Sequence, residues 1–486
     1  MSTEIPADIV IHDGVIVNAT GRRRGTVVIR DGRVAEILEP GMTAPAAHRE
    51  IQAEGRLVIP GGVDPHCHIG QELGEFPMLD DYREATTAAL WGGTTTVIDF
   101  AIPTPGEAPL HAAHARLKLA DSARCDAALH GAVVDWDSTT AAQLESMAEM
   151  GILTTKMFTT YRDGVMAGPD TIDAVMKTLD RLGGIAYVHA ESNHEIEDAV
   201  SAAVSAGRAG ARHHAETRPE DAELAAVRAV IDVAERTGTA VYFVHQTTPE
   251  AVDLVAQARA RGVRAYSETC PHYLVLDDSA YATEVAERFV CCPPLRSRAT
   301  VEGLLARVLA GDVDTIGSDH CCYSTEQKLR HAHDVREMPN GMPGVESRLT
   351  VTFDALVVRN GMREEDFVAL VSSNPAALNG LRTKGWVGPG ADADLVVFDP
   401  ELSKPITAAG SHMATDYSPY EGREFTGWPV VVVSQGRVVV DQDGFHDPGA
   451  VGRPLRAVAS LDGTHGLTRV GRSPQLEADH PSRGTL

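Results

Sequence analysis

Short runs of apolar and β-branched residues alternate through the middle of the chain with longer stretches whose apolar positions recur at helical spacing. Eight short runs read as strands: RLVIPGGVDPHCH, TTTVIDFAIP, AALHGAVVD, ILTTKMF, GIAYVHAES, AVYFVHQT, RAYSETCP and TIGSDHCC. Between them DDYREATTAALWGG, TIDAVMKTLDRLGG, DAELAAVRAVIDVAERTG and PEAVDLVAQARARG read as helices, each closing on Gly, a frequent C-terminal signal. Strand-helix alternation predicts a parallel sheet. The span from Leu57 to Asp319 suits the about 250 residues of a (β/α)8 TIM-like barrel. The alternative is an open doubly wound sheet, but no Gly-rich dinucleotide fingerprint follows the first strand.

The two ends have a different texture. DIVIHDGVIVNATGRRRGTVVIRDGRVAEIL near the start, and GADADLVVFDP and WPVVVVSQGRVVVDQDG near the end, are short Val/Ile strands broken by turn residues. An α/β protein is expected, in which residues 1–56 plus 385–446 build a small composite β-sandwich and residues 57–384 the barrel. Residues 447–486, rich in Gly, Pro, Ser and Arg, form a C-terminal tail that offers little apolar surface and is expected to be partly extended or mobile.

Composition narrows the function classes. The formal net charge of -25 over 486 residues argues against nucleic acid or an anionic membrane as partner. No apolar run approaches the roughly 20 residues needed to cross a bilayer, and MSTEIPADIV does not read as a secretory signal. The seven cysteines (67, 125, 270, 291, 292, 321 and 322) are odd in number and lack a CxxC pair. Free thiols in a reducing, cytoplasmic setting are expected.

Catalytic groups of a barrel come from the C-terminal ends of its strands. Those ends carry His66 and His68, Lys156, His189, His245 and Asp319. His66 and His68, two apart on a strand, share a face. Alone, each residue has an ordinary structural reading; their common position in barrel order is what points to a metal centre. Four imidazoles and a carboxylate exceed the three protein ligands usual for one catalytic zinc and suit two divalent ions. Two ions need a bridging ligand, and the second carboxylate is missing. Lys156 supplies it if its neutral amine adds CO2 and becomes a carbamate, an N6-carboxylysine. His320 beside Asp319 and the doublets Cys291-Cys292 and Cys321-Cys322 read as structural, since strand neighbours face opposite ways.

The ordered set PGGVDPHCH, TTKMFTTY, VHAESN, VHQTT, SETCPHYL, CCPPLR, GSDHC, PNGMPGVESR and DYSPYEG resembles the dihydropyrimidinase and hydantoinase family of cyclic amidohydrolases over roughly residues 8 to 456. The resemblance implies a barrel with a composite β-sandwich, two zincs bridged by a carboxylated lysine, and a homotetramer. It places His66, His68 and Asp319 on the first metal, His189 and His245 on the second, and Lys156 across both. It implies that Tyr161 hydrogen-bonds the developing oxyanion, that main-chain groups at Cys292 and Asn340 grip the cyclic amide, and that Asp319 serves as general base and then general acid. Serine is usual in this family at Cys292; a backbone contact survives the change. The implied substrates are dihydropyrimidines (dihydrouracil, dihydrothymine) and 5-substituted hydantoins, opened to N-carbamoyl amino acids. Allantoinase and dihydroorotase relatives share such a centre, and neuronal scaffold homologues keep the fold without the ligands, which here are all present. Phe158, Gln71 and Val165 fall in the loops expected to sort the ring substituent.

Overall fold

The predicted first strand divides at Gly61. In the computed structural model, which describes residues 6–459, 467 and 468, Leu57–Pro60 and Gly62–His68 are separate strands belonging to different sheets. Leu57–Pro60 runs antiparallel to Leu395–Ile406 and parallel to Ala7–Asn18. Gly62–His68 opens the barrel.

The barrel strands follow in chain order, each parallel to the next: Gly62–His68, Thr94–Ala101, Asp126–Ala132, Thr154–Phe158, Ile185–His189, Ala240–Phe243, Ala265–Thr269 and Thr315–Ile316. Most are buried along their whole length, as expected of parallel strands covered on both faces. The eighth predicted strand, TIGSDHCC, is broken: Thr315–Ile316 pairs with Ala265–Thr269, while His320–Cys321 pairs with Gly62–His68. Its two pieces therefore join the ends of the sheet order and close the barrel. The four expected helices are Tyr82–Trp91, Pro169–Leu182, Glu220–Thr237 and Pro249–Ala260. Left-handed Gly183 and Gly238 end the second and third, as the sequence signals require.

The terminal strands form one nine-stranded mixed sheet drawn from both chain ends. Ala7–Asn18 pairs with Ala47–Gln52 along its first half and with Leu57–Pro60 further on, its other edge holding Gly21–Arg30. Ile11, Ile16, Val27, Ile29, Val58, Leu395, Val397 and Val433 share one buried cluster, so residues more than 400 positions apart complete a common core.

The beginning of the tail is strung across the barrel end opposite the strand C-termini. Leu455 donates its N–H to Ala127 O, Ala457 to Gly151 O and Val458 to Gly380 O. Arg453 pairs with Asp126 and Asp392, beside a buried Lys384 that also contacts Asp126, Asp392 and Asp394. The tail beyond 459, apart from Leu467 and Thr468, lies outside the described residues.

Candidate active site

At the C-terminal strand ends the predicted residues converge. His66 Nε2 and His68 Nε2 lie 3.3 Å apart and reach Asp319 Oδ1 at 3.0 and 3.5 Å. The His245 ring stands 5.4 Å from that of His66 and 4.5 Å from that of His189. Lys156 Nζ is buried above the faces of Phe100 and Phe158, 4.7 and 5.1 Å from their centroids, with no hydrogen-bond partner. Three of these groups use backbone conformations that side-chain-bearing residues rarely adopt: Tyr161 at φ 70°, His245 at φ 40° and Asp319 at φ 48°. Such strain concentrates where the surrounding structure fixes a functional geometry. At Asp319 it accompanies the break in the eighth strand.

Two buried carboxylates, Glu268 on the seventh barrel strand and Glu191 two residues beyond His189, hold the imidazoles. Glu268 Oε1 accepts from His66 Nδ1 at 2.7 Å and from the His245 N–H at 3.0 Å, and its Oε2 accepts from Tyr242 at 2.6 Å. Glu191 lies 2.7 Å from His189 Nε2 and is itself paired with Arg218 at 2.5 Å. The close packing has a steric requirement at Gly317, where a Cβ would lie 2.9 Å from both Glu268 Oε2 and His66 Cβ.

Electrostatics follow from burial and these partners. Burial pulls His68, His189 and His245 below their ordinary values, favouring neutral imidazoles able to donate a lone pair. Burial opposes charge on His66 too, but Glu268 and Asp319 outweigh it and raise it to about 9. Burial would raise Asp319; the charge and hydrogen bond of His66 hold it well below the usual carboxylate range. Burial lowers Lys156 to about 8, which makes a neutral amine accessible.

The cluster opens into a cavity of about 780 Å³ lined by Phe158, Tyr161, Val165, Cys292 and Asn340 together with His68, Lys156, His189, His245 and Asp319. Gln71 is not among its walls. Its amide donates to Asp99 Oδ1 at 2.9 Å and Phe100 O at 2.7 Å, so it faces the barrel wall rather than the ring substituent. His320 also turns away, 2.6 Å from Asp80, with its Nδ1 accepting the Gly344 N–H. Each cysteine doublet splits, Cys292 and Cys321 lining the cavity while Cys291 and Cys322 do not, and all seven thiols are free and buried.

These residues fit a divalent cation. His66, His68 and Asp319 present donor atoms close enough to share one ion, and the unpartnered Lys156 Nζ, His68 Nδ1 and His245 Nδ1 are buried polar atoms in the same cluster. The other carboxylate-rich group, Asp126, Asp392 and Asp394, is already neutralised by Lys384 and Arg453. Glu268, Glu191 and Arg218 were not indicated by the sequence. The one local cue is the two-residue spacing of His189 and Glu191 on a strand end, which puts them on a common side.

The amidohydrolase family profile matches residues 57–439. Over 444 residues, covering 89% of this chain and 94% of its relative, the sequence is 35% identical to a D-hydantoinase of Streptomyces coelicolor. It is 34% identical to the dihydropyrimidinase of Rattus norvegicus, covering 89% and 85% of the two chains. The crystal structure of dihydropyrimidinase from Brevibacillus agri superposes with a TM-score of 0.90 at 32% identity, covering 93% of this chain and 98% of the other.

Proposed function

The chain belongs to the dihydropyrimidinase and hydantoinase family within the amidohydrolases, and from that premise we propose that it hydrolyses the cyclic amide bond of dihydropyrimidines and 5-substituted hydantoins to N-carbamoyl amino acids. The observation that carries the reading is the convergence of His66, His68 and Asp319 at the floor of a cavity that also holds Tyr161, Cys292 and Asn340.

His66, His68 and Asp319 would hold one zinc or similar divalent ion and His189 and His245 a second, with Lys156 joining them as a carbamate. Such a pair supplies a nucleophile ionised near neutral pH and polarises the ring carbonyl. The rest falls to the chain. Glu268 fixes the His66 tautomer with Nε2 toward Asp319, and Glu191, backed by Arg218, does the same for the His189 ring. Main-chain groups at Cys292 and Asn340 hold the amide edge of the ring. Tyr161 keeps its proton and donates a hydrogen bond through its hydroxyl to the oxygen that gains charge as the carbonyl becomes tetrahedral. Asp319, unprotonated at rest, takes the proton of the attacking nucleophile and returns it to the leaving ring nitrogen.

Seven unpaired thiols support a reducing, cytoplasmic setting, and among the described residues no helix is long and apolar enough to cross a membrane. The family resemblance supports a homotetramer, to be checked by light scattering. The function is tested by ring-opening rates on dihydrouracil, hydantoin, 5-phenylhydantoin and allantoin with zinc-loaded protein prepared in bicarbonate. Turnover of the first three is expected; silence on all four would remove the assignment.

A further inference from the structure

Lys328 is fully buried, yet no carboxylate among the described residues pairs with it. Its ammonium donates to three carbonyls instead: Val290 at 2.7 Å, Pro339 at 2.8 Å and Gly341 at 2.6 Å. An ammonium carries three donors and no acceptor, so the set is complete. A buried charge without a counter-charge is costly, and a neutral residue would tie a loop down with less penalty. The acceptors are what distinguish this lysine. They come from two separate segments, one leading into Cys292 and the other flanking Asn340, which are the two cavity residues assigned to the substrate amide.

Peptide planarity transmits the effect. Pro339 C=O and Asn340 N–H belong to one trans peptide unit and point opposite ways, so fixing the carbonyl on Lys328 turns the Asn340 N–H away from it. Among the described residues neither the Asn340 N–H nor the Cys292 N–H donates to any protein acceptor. His214 acts in parallel on the other segment, its Nε2 bonding to Cys291 O at 2.7 Å, which fixes the peptide carrying the Cys292 N–H. The segments are also joined directly, Gly341 N–H to Val290 O at 3.0 Å. Gly341 adopts φ 131°, and a Cβ there would sit 2.3 Å from Cys321 Cβ. Only glycine therefore fits at this close approach of the second segment to Cys321.

We propose that Lys328 is a positioning residue for substrate binding: by gripping Val290, Pro339 and Gly341 it sets the spacing of the main-chain groups at Cys292 and Asn340 that hold the cyclic amide. The proposal rests on the ring-opening function above. It acts on binding common to ground and transition states, so its signature is in KM rather than kcat.

The test is steady-state kinetics of Lys328→Met and Lys328→Gln on dihydrouracil and hydantoin, with metal content and circular dichroism measured on the same samples. For Lys328→Met, KM is expected to rise about tenfold or more while kcat changes by less than about threefold, and metal content stays at the wild-type level. Lys328→Gln, keeping part of the donor set, should fall between. Wild-type KM in both folded variants would overturn the proposal, as would failure of both to fold, which would make Lys328 a residue of stability alone. Wild-type silence on these two rings and on 5-phenylhydantoin and allantoin would instead overturn the function on which the proposal rests, a result seen before either variant is compared; turnover of 5-phenylhydantoin alone moves the same KM comparison to that ring.

Discussion

His66 Nδ1 lies 2.7 Å from Glu268 Oε1, both side chains wholly buried, and this contact decides which nitrogen of His66 faces Asp319. With one proton held on Nδ1 by the carboxylate, Nε2 is the nitrogen directed at the cluster, where a bound cation would take the place of the second proton.

Glu268→Gln keeps the volume and removes the charge. Loss of such an outer partner typically costs about 10–100-fold in metal affinity, so the variant should lose zinc to a chelator at concentrations the wild type withstands, with turnover falling in step. Metal content by atomic emission after graded chelation reads this directly.

The buried amine of Lys156, lowered to about 8, is charged below that value and neutral above it. Only the neutral form adds CO2. Metal-free protein should therefore regain activity with zinc and bicarbonate faster at one unit above that value than at one unit below, following an about tenfold change in neutral fraction. Lys156→Ala should show no bicarbonate dependence. A wild-type recovery rate independent of pH and bicarbonate would contradict the carbamate.

Tyr161→Phe removes one hydroxyl from a ring stacked under the Arg218 guanidinium at 5.1 Å. The packing stays, so KM should change little, while kcat falls about 10²–10³-fold as for loss of an oxyanion donor. Asp319→Asn removes proton transfer as well as a ligand and should fall by at least about 10²–10⁴-fold.

Val165 lines the cavity and Gln71 does not. Val165→Phe should shift the ratio of dihydrouracil to 5-phenylhydantoin turnover by about 10–200-fold, the range of steric discrimination in a pocket. Gln71→Leu should leave that ratio unchanged and lower the thermal midpoint, since Asp99 and Phe100 lose a donor. Competition assays on the two rings separate the cases.

Lys384 is buried among Asp126, Asp392 and Asp394 at the far end of the barrel. Burial alone would lower its pKa, but the three carboxylates outweigh this and raise it. Its stabilisation is thus present at neutral pH and lost only as pH climbs through the raised value. Lys384→Met leaves Asp394 without its cation, Asp126 and Asp392 keeping Arg453, and should cost about 3–5 kcal/mol, visible in a urea midpoint, with turnover per folded molecule unaltered.

The residues legible in the sequence were those whose role follows from position along a strand. His66 and His68 share a face by their spacing, and Lys156, His189, His245 and Asp319 announce themselves once strand ends are aligned. Glu268 and Arg218 were invisible because their partners lie on other elements, a relationship no local period encodes. Gln71 was misplaced for a similar reason: its loop faces the cavity, but its amide is claimed by Asp99 on the neighbouring strand. The division of the first strand at Gly61 is marked only by Pro60-Gly61-Gly62 inside one extended stretch, and burial does not reveal it, since Leu57–Pro60 and Gly62–His68 are both fully buried although in different sheets.

That division gives the molecule a mechanical linkage. One continuous stretch of extended chain is a rung of the terminal sheet up to Pro60 and, across one glycine, the strand that carries the imidazole pair. Load applied along Ala7–Asn18 reaches His66 and His68 through the Leu57–Pro60 ladder before it reaches the rest of the barrel. The terminal sheet is therefore a handle on the reaction centre: a force that unzips it would misalign the two histidines, and extinguish catalysis, while the seven remaining strands were still in register.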